Sequence, residues 1–340
     1  MRITLVRYLI FTLLFICCCT NAETQKWKDK NGVWHFSDKV NVSESNTAGH
    51  KPEKFSKKTK SIPSEENGKL VLKGVAHGHY YHYRGRAAGE NLKIIVINHG
   101  MYGENKTEFI AAQQMIEPWF DFADKHGLIL IAPIFDNSAF SVNSNEASNG
   151  GYRGLFGRDI NADDFLHEII AEYGVKNASY DGRFYLVGHS AGAQFSNRYM
   201  IKHPERVIAA AYSAPAWFAL PDPDLKWPFG MGRRKFTEKW LGRALDKPID
   251  IAPETIWWIK AAQIPTAIVV GEMDLSLIRH KVGVGGDNHV DRAKFWVKSI
   301  DGFARTHGVK SKQNLILVPN VGHRYEKLVL PLQNFIQPLL

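Results

Sequence analysis

Six apolar runs punctuate this chain: NLKIIVINHG, LILIAPIFD, GRFYLVGHS, VIAAAYSAP, TAIVVGEMD and NLILVPNVGH, from residue 91 to residue 323. Their apolar stretches are continuous rather than alternating. Strands built from them must therefore be covered on both faces. Helical spacing fills the gaps. Phe109 to His126 has it, with Pro118 restarting a helix in its first turn. Phe165, Ile169 and Tyr173 follow four apart behind Asn161, Asp163 and Asp164, a good helix start. Ala191 to His203 continues directly from a strand, and Trp296, Ile300 and Phe303 mark a helix ending near Gly308. Upstream, KLVLKGVAHGHYYHYRG reads as paired strands. Strands alternating with amphipathic helices predict an α/β fold, a mostly parallel central sheet with helices on both faces.

The segment before residue 68 has a different texture. Residues 1–22 read as a signal peptide: Arg2 and Arg7 precede a greasy stretch, Tyr8 to Cys19, too short to span a bilayer comfortably. Thr20-Asn21-Ala22 offers a cleavage point, and acylation at Cys17, Cys18 or Cys19 is the competing reading. Either way the chain is expected outside the cytosol, periplasmic or secreted, with no membrane span once processed. The three cysteines all lie in this segment, so the processed chain has none to pair and must rely on its core. Residues 23–45 predict a small β module. Trp27, Val33, His35 and Ser37 alternate about Asn31-Gly32, a hairpin-turn dipeptide. Residues 46–67 are polar and rich in Lys, Ser and Pro, a linker. The formal net charge of +9 sits partly here, since Lys51 to Lys60 alone holds five lysines. That clustering does not match the basic face with interleaved aromatics of a nucleic-acid binder.

Ligands of such sheets bind outside the carboxyl ends of the strands. Three of those ends carry reactive residues. Gly188-His189-Ser190-Ala191-Gly192 fits G-x-S-x-G between a predicted strand and a predicted helix, the context in which the serine is raised on a sharp turn. Asp274 follows the run ending at Val270, and His323 follows the run ending at Val318. A serine hydroxyl needs a base, histidine suits that task at neutral pH, and a carboxylate fixes the histidine tautomer. Several rivals compete for these roles. His189 neighbours the serine, but the turn is expected to point its ring away. His289 is expected to cap a helix near Asp287, and Glu272 is an alternative carboxylate. His77, His79 and His82 do not converge on one strand face, so no metal site is expected.

With these residues in hand, the chain from about Gly68 onward resembles an α/β-hydrolase, nearest the polyhydroxybutyrate depolymerase and feruloyl-esterase branch. VINHGMYG, GHSAGAQF, GEMD and NVGH carry the likeness. The resemblance implies Ser190 as nucleophile, His323 as base then acid, and Asp274 as orienting carboxylate. It also implies an oxyanion hole from the backbone N–H groups of Met101 and Ala191, and no cofactor. It implies a carboxylic-ester substrate, small or polymeric, with acyltransferase, peptidase or non-catalytic binding protein as alternatives. His189 departs from the branch, which usually has leucine there. The disulfides and extra polymer-binding domain of its secreted members are also missing. Residues 25–39 resemble a short domain of unknown function near the N-termini of bacterial envelope proteins. Residues 217–260 are expected to form an aromatic-rich insert that either caps the site or packs as core, with Trp217 and Tyr102 as candidate substrate contacts.

Overall fold

In the computed structural model the described residues are 25–28, 34–37, 66–102, 106–140, 151–237, 249–278 and 285–340. The signal peptide and most of the linker lie outside them. The chain divides into two units, Met1–His50 and Lys51–Leu340. In the first, β1 (Gln25–Lys28) pairs antiparallel with β2 (Trp34–Ser37), Trp27 opposite His35, and the turn expected at Asn31-Gly32 lies outside the described residues.

The second unit runs β3 (Leu70–Val75), β4 (Gly78–Arg84), β5 (Ile94–Asn98), α1 (Glu108–Ile116), α2 (Phe120–His126), β6 (Ile129–Pro133) and α3 (Asn137–Phe140). It continues through α4 (Ala162–Lys176), β7 (Phe184–His189), α5 (Ala191–Lys202), β8 (Val207–Ser213), β9 (Arg234–Phe236) and β10 (Ile249–Ile251). The last elements are α6 (Thr255–Ala262), β11 (Thr266–Gly271), α7 (His289–Thr306), β12 (Gln313–Val318) and α8 (Tyr325–Ile336). Eight strands form one sheet in the order β12-β11-β8-β7-β5-β6-β4-β3. Only the β3–β4 and β4–β6 pairs are antiparallel.

Strand alternation sorts the core into two layers. Ile94 and Val96 of β5 join the layer built on α4 to α7, which includes Phe165, Phe195, Trp258 and Trp296. Ile95 and Ile97 join the layer built on α1, α2 and α8, which includes Ile116, Phe122, Leu328 and Leu332. All four β5 isoleucine and valine side chains are fully buried, each worth roughly 1.5–3 kcal/mol of transfer free energy. Pro118 does restart the chain: a single 3-10 turn, Glu117–Trp119, joins α1 to α2, and Gly127 ends α2 at φ 66.

Five of the described aromatics of the insert pack as core. Trp217, Phe218, Trp227, Phe229 and Trp258 are all buried, and α6 is itself one of the helices covering the sheet. Trp240 lies outside the described residues. The clustered histidines have separate partners. His77 sits in the turn before β4, its Nδ1 3.1 Å from Glu168, and His79 packs against Phe109. His82 is buried, with its Nδ1 2.7 Å from the Tyr173 hydroxyl. Among the described residues no helix is long and apolar enough to cross a membrane.

Candidate active site

Ser190 stands between β7 and α5 with φ 51 and ψ −110, a backbone geometry that a residue with a Cβ rarely adopts. What holds it there is close packing of glycines rather than any side-chain cap. A Cβ on Gly188 would fall 2.4 Å from the Gly192 carbonyl oxygen, and one on Gly192 would fall 2.1 Å from that of Asn98. Only hydrogen fits at either position. The Ser190 N–H donates to Ser213 O at 2.8 Å, tying the turn to the neighbouring strand β8.

The loop after β5 lies against this turn. A Cβ on Gly100 would sit 3.5 Å from that of Ser190. The preceding His99 is fully buried and braces the loop, accepting the Phe135 N–H at Nε2 (3.1 Å) and donating from Nδ1 to Gly100 O (2.8 Å). Burial lowers its pKa to about 4, so it stays neutral in that tautomer. Tyr152 donates to His99 O at 3.2 Å and closes the brace. Met101 follows with an exposed side chain, and Ala191 is buried as the first residue of α5. These are the two positions expected to supply oxyanion N–H groups.

Asp274 and His323 meet across the ends of β11 and β12. His323 Nδ1 donates to Asp274 Oδ2 at 2.7 Å. The two loops are laced by backbone bonds, Glu272 N–H to Val318 O at 2.9 Å and Met273 N–H to Val321 O at 2.8 Å. Gly271 lets them close, since a Cβ there would meet Val321 O at 2.1 Å. Tyr325, two residues beyond the histidine, anchors the loop from the other side. Its hydroxyl donates to Met115 O (3.0 Å) and accepts from Trp119 Nε1 (2.8 Å).

Two further histidines attend this pair, and both depart from expectation. His289 does not cap near Asp287. It begins α7, and its Nδ1 lies 3.0 Å from Asp274 Oδ1, opposite His323. The helix cap is Asn288, which accepts from the Asp291 N–H at 2.9 Å. Burial alone would raise the Asp274 carboxyl, but the two imidazoles, His289 and His323, hold it well below the usual carboxylate range. His189 does not turn away either. Its ring centroid lies 4.8 Å from that of His323, and its Nδ1 is 2.9 Å from Ser213 Oγ. Burial, with the neighbouring His323, lowers its pKa to about 3. His189 thus bridges in space from the serine turn to the His323 loop. Glu272 precedes the buried position and is exposed, unlike Asp274 at 1%.

A cavity of about 570 Å³ opens beside this constellation, lined by Met101, Tyr102, Lys106, Met115, His189 and Tyr325 among others. Tyr102 is therefore at a cleft. Trp217 has little surface to offer: it is 5% exposed, its edge meets Phe229, and the Arg292 guanidinium lies 3.7 Å from its ring centroid. The atoms of Asp274, His289 and His323 also lie within 4.8 Å of one another, near enough to invite a metal reading. His323 Nδ1 there is hydrogen-bonded to Asp274 Oδ2, while His289 Nδ1 lies 3.0 Å from Asp274 Oδ1.

No family model matches the chain, and no curated protein matches it. Solved structures do. A poly(aspartic acid) hydrolase from a Sphingomonas species superposes with a TM-score of 0.60 at 18% identity, covering 79% of this chain and 97% of its own. A poly(3-hydroxybutyrate) depolymerase from Bordetella parapertussis gives 0.56 at 20% identity, covering 77% and 82%. An S-formylglutathione hydrolase from Agrobacterium tumefaciens gives 0.52 at 15% identity, covering 80% and 93%. The fold is that of the α/β hydrolases.

Proposed function

We propose that this chain is an exported serine hydrolase that cleaves carboxylic esters through an acyl-enzyme. The observation that supports the reading is an imidazole bonded to a buried carboxylate, His323 to Asp274, with its ring 4.8 Å from that of His189, the residue before a serine held at φ 51 on a strand–helix turn. In this reading the Asp274 bond occupies His323 Nδ1 and leaves Nε2 to take the Ser190 proton. Ser190 Oγ attacks the ester carbonyl. The resulting oxyanion is received by the Met101 and Ala191 N–H groups, the second reinforced by the N-terminus of α5. His323 returns the proton to the departing alcohol, and water repeats the sequence to release the acid. Small esters and polyesters pass through the same steps, as do amides or an acceptor alcohol in place of water. Export rests on the charged and apolar pattern of residues 1–22.

Ser190→Ala tests the reading. It is expected to lower kcat on p-nitrophenyl butyrate by about a million-fold while the melting temperature holds. Unchanged turnover in a folded Ser190→Ala protein would refute it.

A further inference from the structure

Arginine side chains near the oxyanion loop have partners of unequal quality. Arg198, on α5, is fully buried, and its Nε and Nη1 donate to Pro228 O (2.8 Å) and Arg153 O (2.6 Å). Arg292 donates to Ala216 O at 2.5 Å and to Gly286 O at 2.9 Å. Both guanidinium groups serve as ties between segments. Arg153 is not. Its hydrogen bond is from Nη1 to the thioether Sδ of Met101 at 3.4 Å, a weak acceptor for a full positive charge. No carboxylate among the described residues pairs with it. Burial lowers its pKa, so the charge sits in a partly desolvated place without compensation. Arg198 adds a second positive charge beside it, with its own Nη2 buried and unbonded.

The position matters. Met101 is the residue expected to face the oxyanion, and Gly100 before it abuts Ser190. Met101 also lines the 570 Å³ cavity, where Lys106 donates to the Gln114 side chain at 3.1 Å. Glu326, the acidic side chain on that wall, is committed to Arg324 at 2.5 Å. Lys106 on the cavity wall and Arg153 against Met101 thus both have neutral partners among the described residues.

We propose that Arg153 is an anion-binding residue and that the substrate carries a carboxylate in addition to its scissile ester. A guanidinium offers a planar fork that a carboxylate matches with two bonds. One uncommitted fork suits one carboxylate. Among the described residues the Arg153 side chain ties to Met101 Sδ, and the bond to Arg198 uses its backbone carbonyl. This proposal rests on the Ser190 hydrolase reading for the location of the scissile bond.

The test compares p-nitrophenyl half-esters of glutaric and adipic acid with the pentanoate and hexanoate esters, which lack the charge. Wild type is expected to favour the charged esters by about tenfold or more in kcat/KM. Arg153→Met should abolish that ratio through KM, and Arg153→Lys should restore part of it. Raising salt should shrink the ratio in wild type. A ratio near one in wild type, or a ratio that Arg153→Met leaves unmoved, would overturn the proposal. Calorimetric binding of free adipate to Ser190→Ala protein reads the same subsite without turnover. Adipate binding that is lost in Ser190→Ala/Arg153→Met upholds the anion site even if no ester is cleaved, an outcome that would remove only the hydrolase reading. Equal adipate binding by the two proteins, each checked by its thermal melt, would refute it.

Discussion

At the β7 end of the site, Ser190 is held by backbone against backbone: glycine Cα atoms packed where a methyl group cannot fit, and a left-handed residue in the turn. At the β11 and β12 ends, Asp274 and His323 are held by charge and hydrogen bonds between side chains, with His289 as a second imidazole on the same carboxylate. On the proposed reading the two regions serve one site, yet they should fail differently. Steric damage at the serine turn propagates into the sheet, because the clashing atoms belong to β5 and α5. On the same reading, neutralising a partner at the acid–base rim should leave the chain folded and remove the chemistry.

The sharpest separation comes from Asp274→Asn. An amide cannot hold the His323 tautomer as a carboxylate does, so kcat should fall by about 10⁴-fold with the fold intact, measured on p-nitrophenyl butyrate. The same variant has a pH signature. The Asp274 carboxyl is held below its ordinary value, so its contribution to stability is complete above the usual carboxylate range and is lost as pH falls through the folded value. The variant has no such contribution to lose, and its stability should decline less steeply in acid. Identical acid unfolding curves would mean that the two imidazoles do not stabilise the carboxylate.

Gly192→Ala tests the other region. Its new methyl group would meet the Asn98 and His99 carbonyl oxygens at 2.1 and 2.6 Å, and a cost of about 3 kcal/mol is expected in urea unfolding. Wild-type stability in that variant would show that the turn is looser than its packing implies. The smallest expected effect belongs to His289→Asn, which leaves one imidazole on Asp274. A loss of about tenfold in kcat at unchanged KM is expected, and an unchanged pH–rate profile would assign His289 a purely structural place.

Much of this was legible in the chain itself. Continuous apolar runs identified the buried strands, and Asp274 and His323, which follow two of them, are hydrogen-bonded to each other. The C-terminal helix α8 was not legible, because Pro331 interrupts a pattern that Leu328, Val329, Leu332 and Ile336 otherwise make plain. His289 was missed for a different reason. Periodicity describes one element at a time, and its contact with Asp274 depends on how α7 begins relative to a loop from another strand. His99 was likewise read as part of a glycine motif, although its ring is the buried brace of the loop. The tryptophans of residues 217–260 were ambiguous because a cap and a core draw on the same residue types. Burial distinguishes them, and burial is a property of the assembled layers.

The opposed faces of β5 bear on how such a protein can diversify. Each residue along a strand advances about 3.3 Å and reverses the side on which the next one points. Deleting one residue from Ile94–Asn98 would exchange the contents of the two core layers and withdraw His99, Gly100 and Met101 from Ser190 by that step. The strands therefore act as rulers of set length, and descendants of this chain can change what they accept only by lengthening or rewriting the segments beyond their tips.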